Sequence, residues 1–167
     1  MSLNRFALAV AVALALASSA AVAHDMATMG TMRHGAASAY AFGEPGKVAK
    51  VDRVIAITMR DMSFEPSSVV VKRGETIRFV VANAGPVDHD FTIGDAKAEA
   101  EHRAEMLEMA AKGMTHGDEA NAIMLKPGQS KQLIWKFTKP GRLEFDCNIP
   151  GHWESGMRGT IEVAAKR

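Results

Sequence analysis

Residues 147–157 constrain this chain more than any other stretch. They form the segment CNIPGHWESGM and include the only cysteine among the 167 residues. His152 follows Cys147 after four intervening residues, and Met157 follows after four more. A thiolate, an imidazole and a thioether on one short loop are ligands typical of a mononuclear copper site for electron transfer. Such a site needs a second imidazole from elsewhere, and His89 is the candidate.

The Cys-x4-His-x4-Met pattern, with an upstream histidine and a predicted strand beginning at the methionine, resembles the cupredoxin family. The spacing is similar to that of rusticyanin and is two residues longer between cysteine and histidine than in plastocyanin. The resemblance extends over about residues 51–163. It implies a type 1 copper site in which Cys147, His89 and His152 form a trigonal plane and Met157 is a weak axial ligand.

Other residues of this region are expected to shape the site. Pro150 lacks a backbone donor near the metal, and Gly151 allows close approach of the backbone. Ile149, Trp153 and Phe145 are expected to exclude water, which helps to raise the reduction potential.

The sequence departs from the family next to the first histidine. Cupredoxins often have Asn or Ser after this ligand, whereas this chain has Asp90, and Asp88 precedes His89. Two carboxylates beside a copper ion favour the +2 state electrostatically. We therefore expect a potential below the very high value that the rusticyanin-like spacing implies.

The first residues are predicted to form a secretory signal peptide, residues 1–23. Arg5 gives a basic start, residues 6–17 are apolar, and Ala-Val-Ala precedes the predicted cleavage site. The apolar run is short for a membrane anchor. A periplasmic protein without stable membrane insertion is expected, and a single cysteine there forms no internal disulfide.

Net charge argues against polyanionic partners. The whole chain has a formal charge of +1, and removing Arg5 with the leader leaves equal numbers of basic and acidic residues. Neither nucleic acid nor an anionic membrane surface is implied as a partner.

Residues 24–50 are predicted to form a flexible tail, because they are rich in Gly, Ala, Ser and Thr. The tail contains five candidate soft-metal ligands, His24, Met26, Met29, Met32 and His34. One interpretation is a copper-capture arm, in which the freed amine and ring of His24 chelate Cu(II). The other is that these residues occur there by chance.

The remainder, residues 51–167, is predicted to form one all-β domain of Greek-key sandwich or barrel type. Short β-branched segments alternate with Pro-Gly and Gly turns, as in such folds. The predicted strands are residues 51–59, 68–72, 76–83, 89–93, 130–137, 142–147 and 157–163.

A helical insertion interrupts this pattern at residues 95–116. Asp95 is the predicted N-cap and Gly113 the predicted stop, with a Glu99–Arg103 pair as support. The helix has an Ala/Leu face, formed by Ala100, Ala104, Leu107 and Ala111, and a nearly opposite face with His102, Met106 and Met109. If the Ala/Leu face packs inward, the second face is free to bind copper together with Met114 and His116. The alternative is that the methionines are core residues.

Three functions are open at this stage. The combination of copper site, helical His/Met cluster and His/Met tail resembles the CopI-type copper-resistance cupredoxins, which implies binding, sequestering or oxidising Cu(I), with copper beyond the type 1 ion. A soluble electron carrier between periplasmic redox partners is the alternative. An enzyme is disfavoured, because Cys147 lacks the flanking histidines of a multicopper oxidase. We expect a monomer whose partners are a periplasmic redox protein or a copper chaperone or exporter.

Overall fold

The computed structural model describes residues 40–165. This part contains ten strands, one α-helix and a single 3-10 turn at Val48–Lys50. The elements are β1 (Glu44–Pro45), β2 (Arg53–Arg60), β3 (Ser63–Glu65), β4 (Ser68–Lys72), β5 (Thr76–Asn83), β6 (His89–Gly94), α1 (Ala96–Ala111), β7 (Ala122–Leu125), β8 (Ser130–Lys136), β9 (Gly141–Asp146) and β10 (Arg158–Ala164).

The strands form two five-stranded sheets. One has the order β1–β8–β5–β2–β3 and the other β4–β10–β9–β6–β7. The pairs β2–β5 and β4–β10 are parallel, and the remaining pairs are antiparallel. The predicted all-β architecture with one helical insertion is confirmed.

An aromatic cluster fills part of the core that also contains the cysteine. The Phe145 ring centroid lies 5.1 Å from that of Phe64 and 5.4 Å from that of Phe91. All three rings are buried, and such edge-on and tilted packing adds to the free energy of area burial. Because Phe145 comes two residues before Cys147, the core holds the base of the cysteine loop in place.

Local sequence patterns placed most of the strands correctly. The bounds of β4 and β5 agree with the prediction, and β2 buries Ile57 and Met59 on the expected parity. Residues 40–50 differ, because the sequence assigned them to the tail. Phe42 is buried in the core, and β1 pairs with β8.

The helix begins and ends as predicted. The Asp95 carboxylate accepts hydrogen bonds from the backbone N–H groups of Lys97 and Ala98, which is an N-cap interaction. Gly113 adopts a φ of 67°, a conformation that favours glycine after a helix.

The sequence left the orientation of this helix open, and the structure shows the second alternative, in which His102 and Met106 face the core. Leu107 is 60% exposed, whereas His102 and Met106 are buried against the sandwich. The exposed Ala/Leu face also contains Ala100, Ala104 and Ala111. α1 packs on β6 and β9, where the buried partners are polar. Apolar periodicity therefore does not determine which face turns inward.

The predicted signal peptide and most of the predicted tail lie outside the described residues. They include the candidate ligands His24, Met26, Met29, Met32 and His34. Among residues 40–165, no helix combines the length and the apolar character needed to span a bilayer.

Candidate metal centre

Two adjacent strands and one loop bring three candidate ligands together. His89 is the first residue of β6, which pairs antiparallel with β9, and Cys147 directly follows β9. His152 lies in the turn between β9 and β10, and Met157 directly precedes β10. The sheet therefore places the upstream histidine beside the cysteine loop, although 58 residues separate them.

The three donor atoms have the spacing of ligands on one ion. The Nδ1 atoms of His89 and His152 are 3.2 Å apart, and the Cys147 sulfur lies 3.9 Å and 3.3 Å from them, respectively. Two ligands with bonds of about 2.0–2.3 Å and an angle of about 100–120° lie roughly 3.1–4.0 Å apart. The thiol and both imidazoles therefore fit a shared metal ion.

Burial sets the protonation of these groups. It lowers the pKa of His89, and the neighbouring His152 ring lowers it further. It also lowers the pKa of His152. Both rings are therefore neutral at pH 7, with a lone pair available on the unprotonated nitrogen. Burial raises the pKa of the Cys147 thiol to about 12, so the copper-free protein holds this ligand as a neutral thiol.

The backbone of the cysteine loop closes on Met157. The Met157 N–H donates to the His152 carbonyl over 3.0 Å, and its carbonyl accepts from the Cys147 N–H over 3.1 Å. The Met157 side chain is fully buried. Gly151 has a φ of 88°, as the tight turn requires, while Pro150 is exposed.

The Nε2 side of the His89 ring is tightly surrounded by neighbouring residues. Its Nε2 is buried without a hydrogen-bond partner and lies 3.9 Å from Asp61 Oδ1. A Cβ on Gly85 would lie only 2.9 Å from this nitrogen. The absent side chain at position 85 thus leaves room for the ring.

The two acidic neighbours of His89 differ strongly. Asp88 is exposed to solvent, whereas Asp90 is buried. The Asp90 N–H donates to the Cys147 sulfur over 3.3 Å, and its carboxylate accepts from the Thr92 hydroxyl over 2.7 Å. Because water screens the charge of Asp88, the predicted effect on the reduction potential falls on Asp90.

A buried polar network that the sequence did not reveal joins the helix to the cysteine loop. The Asn148 side-chain amide donates to Glu99 over 2.8 Å, and Arg103 donates to the Asn148 amide oxygen over 3.0 Å. Arg103 also lies 3.4 Å from Asp146 and 4.0 Å from the centre of the Trp153 ring.

This network changes the ionisation of its acids. Burial raises the pKa of Glu99 well above its usual range and that of Asp146 to about 6. Glu99 is fully buried, and the charge of Arg103, its predicted i,i+4 partner, acts against burial by lowering the pKa of this carboxyl. A charged residue on the polar side of a helix gives no local signal of burial.

The helical candidates fall into two groups. His102 and His116 lie together, and one ligand atom from each lies within 4.8 Å of a Glu105 carboxylate oxygen. A neighbouring cleft of about 710 Å³ is lined in part by Met106, Met109, Met114, His116 and Met124. Glu105 was not predicted from the sequence, although its i, i+3 spacing from His102 would have indicated it.

Comparison with known proteins decides the family. Residues 51–164 match the family of copper binding proteins described as plastocyanin/azurin. The chain belongs to this family. Its cofactor is copper, as predicted, and the His-Cys-His cluster fits a type 1 copper ion.

Several relatives of this chain share the name copper-resistant cuproprotein CopI. The chain is 42% identical to the copper-resistant cuproprotein CopI of Pseudomonas aeruginosa, over 74% of this chain and 82% of that protein. It is 41% identical to the protein of the same name from Rubrivivax gelatinosus, over 84% of this chain and 82% of the relative. The chain is thus closely related to the CopI proteins.

Solved structures agree on the fold. Auracyanin B matches with a TM-score of 0.60 at 21% identity, over 74% of this chain and 96% of its own. An auracyanin from Roseiflexus castenholzii matches with a TM-score of 0.56 at 25% identity, over 68% and 98% of the two chains. These likenesses confirm the cupredoxin fold.

Proposed function

We propose that this protein confers copper tolerance in a bacterial periplasm by binding, sequestering or oxidising Cu(I). The copper ligands are His89, Cys147, His152 and Met157. The observation that carries this proposal is the convergence of one thiol and two imidazole Nδ1 atoms within 3.9 Å of one another. Relatives at 41% and 42% identity that are named copper-resistant cuproproteins support the tolerance role.

The residues of the site have distinct tasks. Copper supplies one-electron redox chemistry when it is bound. Cys147 loses its thiol proton to become a thiolate ligand, and the neutral imidazoles of His89 and His152 need lose none. Met157, at the buried end of the loop, is the weak fourth ligand.

The surroundings limit movement and water. Phe145 is fully buried, and Ile149 packs partly buried against the same core. The Asp90 N–H fixes the cysteine sulfur, and Gly85 packs against the His89 ring. A site held in this way changes little between Cu(I) and Cu(II), which permits fast electron exchange.

The location and partners follow from the predicted leader. A cleaved signal peptide at residues 1–23 delivers the chain to the periplasm, where the single cysteine stays reduced by burial and copper binding. A monomer that exchanges copper or electrons with a periplasmic redox protein, chaperone or exporter fits this setting.

A soluble electron carrier is the second candidate. His152 is partly exposed while His89 is fully buried, and an exposed ligand ring offers an electron a way out. A carrier often uses an apolar patch there, yet the Trp153 ring lies beneath the guanidinium groups of Arg103 and Arg158. In residues 40–165, no large exposed hydrophobic side chain belongs to the cysteine loop. This surface favours copper handling over the carrier role.

An independent oxidase is the least supported function. Cys147 is flanked by Asp146 and Asn148, so no adjacent histidines bridge it to a further copper cluster. Oxidation of Cu(I) by this protein would therefore pass electrons one at a time through the type 1 site to a partner.

Growth under copper stress tests the proposal. A strain that lacks the gene is complemented with the wild type, with Cys147→Ala, or with a tail in which Met26, Met29 and Met32 are replaced by Leu. We expect the wild type to restore growth and Cys147→Ala to fail. An Ala substitution at Val70, which is exposed on β4, is the control and restores growth. Full rescue by both Cys147→Ala and the tail variant would overturn the tolerance role.

A further inference from the structure

The four histidines of residues 40–165 form two pairs, and only one pair belongs to the cysteine site. The second pair is His102 on α1 and His116 in the segment after it. Their ring centroids lie 4.8 Å apart with the rings nearly perpendicular. A carboxylate oxygen of Glu105 and one nitrogen of each ring lie within 4.8 Å of one another.

Both rings are removed from solvent. The side chains of His102 and His116 are 9% and 7% exposed. Two imidazoles placed in contact below the surface need polar partners, because unpaired polar groups are costly to bury. The His102 Nε2 atom has no aligned hydrogen-bond partner, although Asp90 Oδ2 lies 3.5 Å away.

The surroundings of each ring resemble those of metal-binding histidines. Such rings usually have one nitrogen beside a carboxylate or a backbone carbonyl, and the other nitrogen binds the metal. His102 has Nε2 beside the Asp90 carboxylate, and His116 has Nδ1 2.6 Å from the Gly117 carbonyl. The remaining ring nitrogens, His102 Nδ1 and His116 Nε2, are then the ones that would bind a metal ion.

We propose that His102, Glu105 and His116 form a second metal site, which takes a divalent ion, Cu(II). Two imidazoles and a carboxylate suit Cu(II) and Zn(II), whereas thioethers suit Cu(I), and Cu(II) binds more tightly than Zn(II) to such donors. The His116 Nε2 atom also lies 3.1 Å from Glu119 Oε1. This separation matches two nitrogen and oxygen ligands on one ion, which lie about 3.1–3.7 Å apart, so Glu119 is placed to complete the coordination.

An entry path and a link to the first site accompany the cluster. His116 also lines the methionine cleft of about 710 Å³, which gives an ion access from solvent. On the other side, Asp90 lies next to His102 through its carboxylate and donates its N–H to the Cys147 sulfur. One residue therefore contacts a ligand of each site.

The choice of copper as the ion rests on the proposed function, whereas metal binding at these residues can be measured independently of copper tolerance. The full-length mature chain, already carrying type 1 copper, is titrated with Cu(II) or with Zn(II). The four proteins are the wild type, His116→Gln, Glu105→Gln and the control Glu108→Gln. Glu108 is an exposed carboxylate one turn away on the same helix. The tail is unchanged in all four proteins, so any copper bound by His24 or His34 adds equally to each stoichiometry.

We expect the wild type and Glu108→Gln to bind one equivalent of Cu(II) more than His116→Gln. The electron paramagnetic resonance signal of this additional Cu(II) ion should show splitting from two imidazole nitrogens. Glu105→Gln should weaken this binding by at least tenfold. The visible band of the Cys147–copper bond, unchanged in all four, shows that each variant is folded.

Equal stoichiometry and equal signals in the wild type, His116→Gln and Glu105→Gln would overturn the site. The histidines would then only pair with Asp90 and Glu119 to hold the helix. Uptake of Zn(II) without uptake of Cu(II) would overturn the assignment of the ion. Failure of the growth test would leave this titration unaffected, since tolerance and second-site binding are measured separately.

Discussion

The backbone N–H of Asp90 donates a hydrogen bond to the sulfur of Cys147 over 3.3 Å. This bond joins the strand that carries the first imidazole to the loop that carries the other ligands. It also places a buried acidic side chain beside a redox site, where members of the cupredoxin family often have a neutral residue.

Removing this charge is expected to raise the reduction potential. Coulomb's law gives roughly 2 kcal/mol for two unit charges about 8 Å apart at an effective dielectric constant of about 20. That corresponds to an increase on the order of 50–100 mV for Asp90→Asn in a redox titration. Asp88→Asn is the matched control, and its exposed carboxylate should give a smaller shift. An unchanged or lowered potential in Asp90→Asn would show that this carboxylate does not act on the copper electrostatically.

Copper binding is expected to release about one proton per type 1 site at pH 7. The Cys147 thiol has a pKa of about 12 and must be deprotonated, whereas both ligand imidazoles are already neutral. Titration calorimetry of the His116→Gln variant in buffers of different ionisation enthalpy measures this number without the second site. Release of two or three protons would mean that the histidines are charged in the copper-free protein.

The sequence predicted the strands well because their signals are local. In β4 and β5, β-branched and aromatic residues lie between turn residues, and both strands have the predicted bounds. β7 was missed because its four residues follow a segment of weak periodicity, and its pairing with β6 is a long-range contact.

The site was predictable only in part. Cys147, His152 and Met157 are close in sequence, and their spacing resembles that of a known family. The sequence indicated Glu99 and Arg103 only as a pair that supports the helix, yet Glu99 is fully buried and Arg103 lies against Trp153. Their roles depend on Asn148 and Asp146, which only folding brings near the helix.

Asp146 is expected to make the copper-free protein less stable as the pH rises. Burial raises its pKa from 3.8 to about 6, so the unfolded state ionises first and gains stability between these values. Stability should fall across this range by roughly 2–3 kcal/mol. Denaturant unfolding of Asp146→Asn from pH 3.5 to 7 should remove most of this slope, and an unchanged slope would assign it to other groups.

The charge of Arg103 is expected to offset the cost of burying the ionised Asp146 carboxylate. Replacing Arg103 by Met leaves Asp146 without the nearby guanidinium group, which should cost about 3 kcal/mol at pH 7. The double variant Arg103→Met with Asp146→Asn should lose less than Arg103→Met alone. A double-mutant cycle measures this coupling, and strictly additive effects would contradict the pairing.

Gly85→Ala is expected to weaken copper binding about tenfold, as loss of support around a ligand commonly does. The added Cβ would lie 2.9 Å from His89 Nε2 and 3.1 Å from Asp61 Oδ1, so the ring must move. Copper affinity and the visible spectrum report this shift. Val70→Ala is the control, because Val70 is exposed on β4 and belongs to neither proposed copper site. Equal affinities in the two variants would show that the ring has room to spare.

Anomalous scattering at the copper edge, from crystals of the protein loaded with one equivalent of copper, tests the central claim most directly. The expected result is a single strong peak within bonding distance of Cys147 Sγ and of the Nδ1 atoms of His89 and His152. A peak elsewhere, with no copper between these three atoms, would contradict the account.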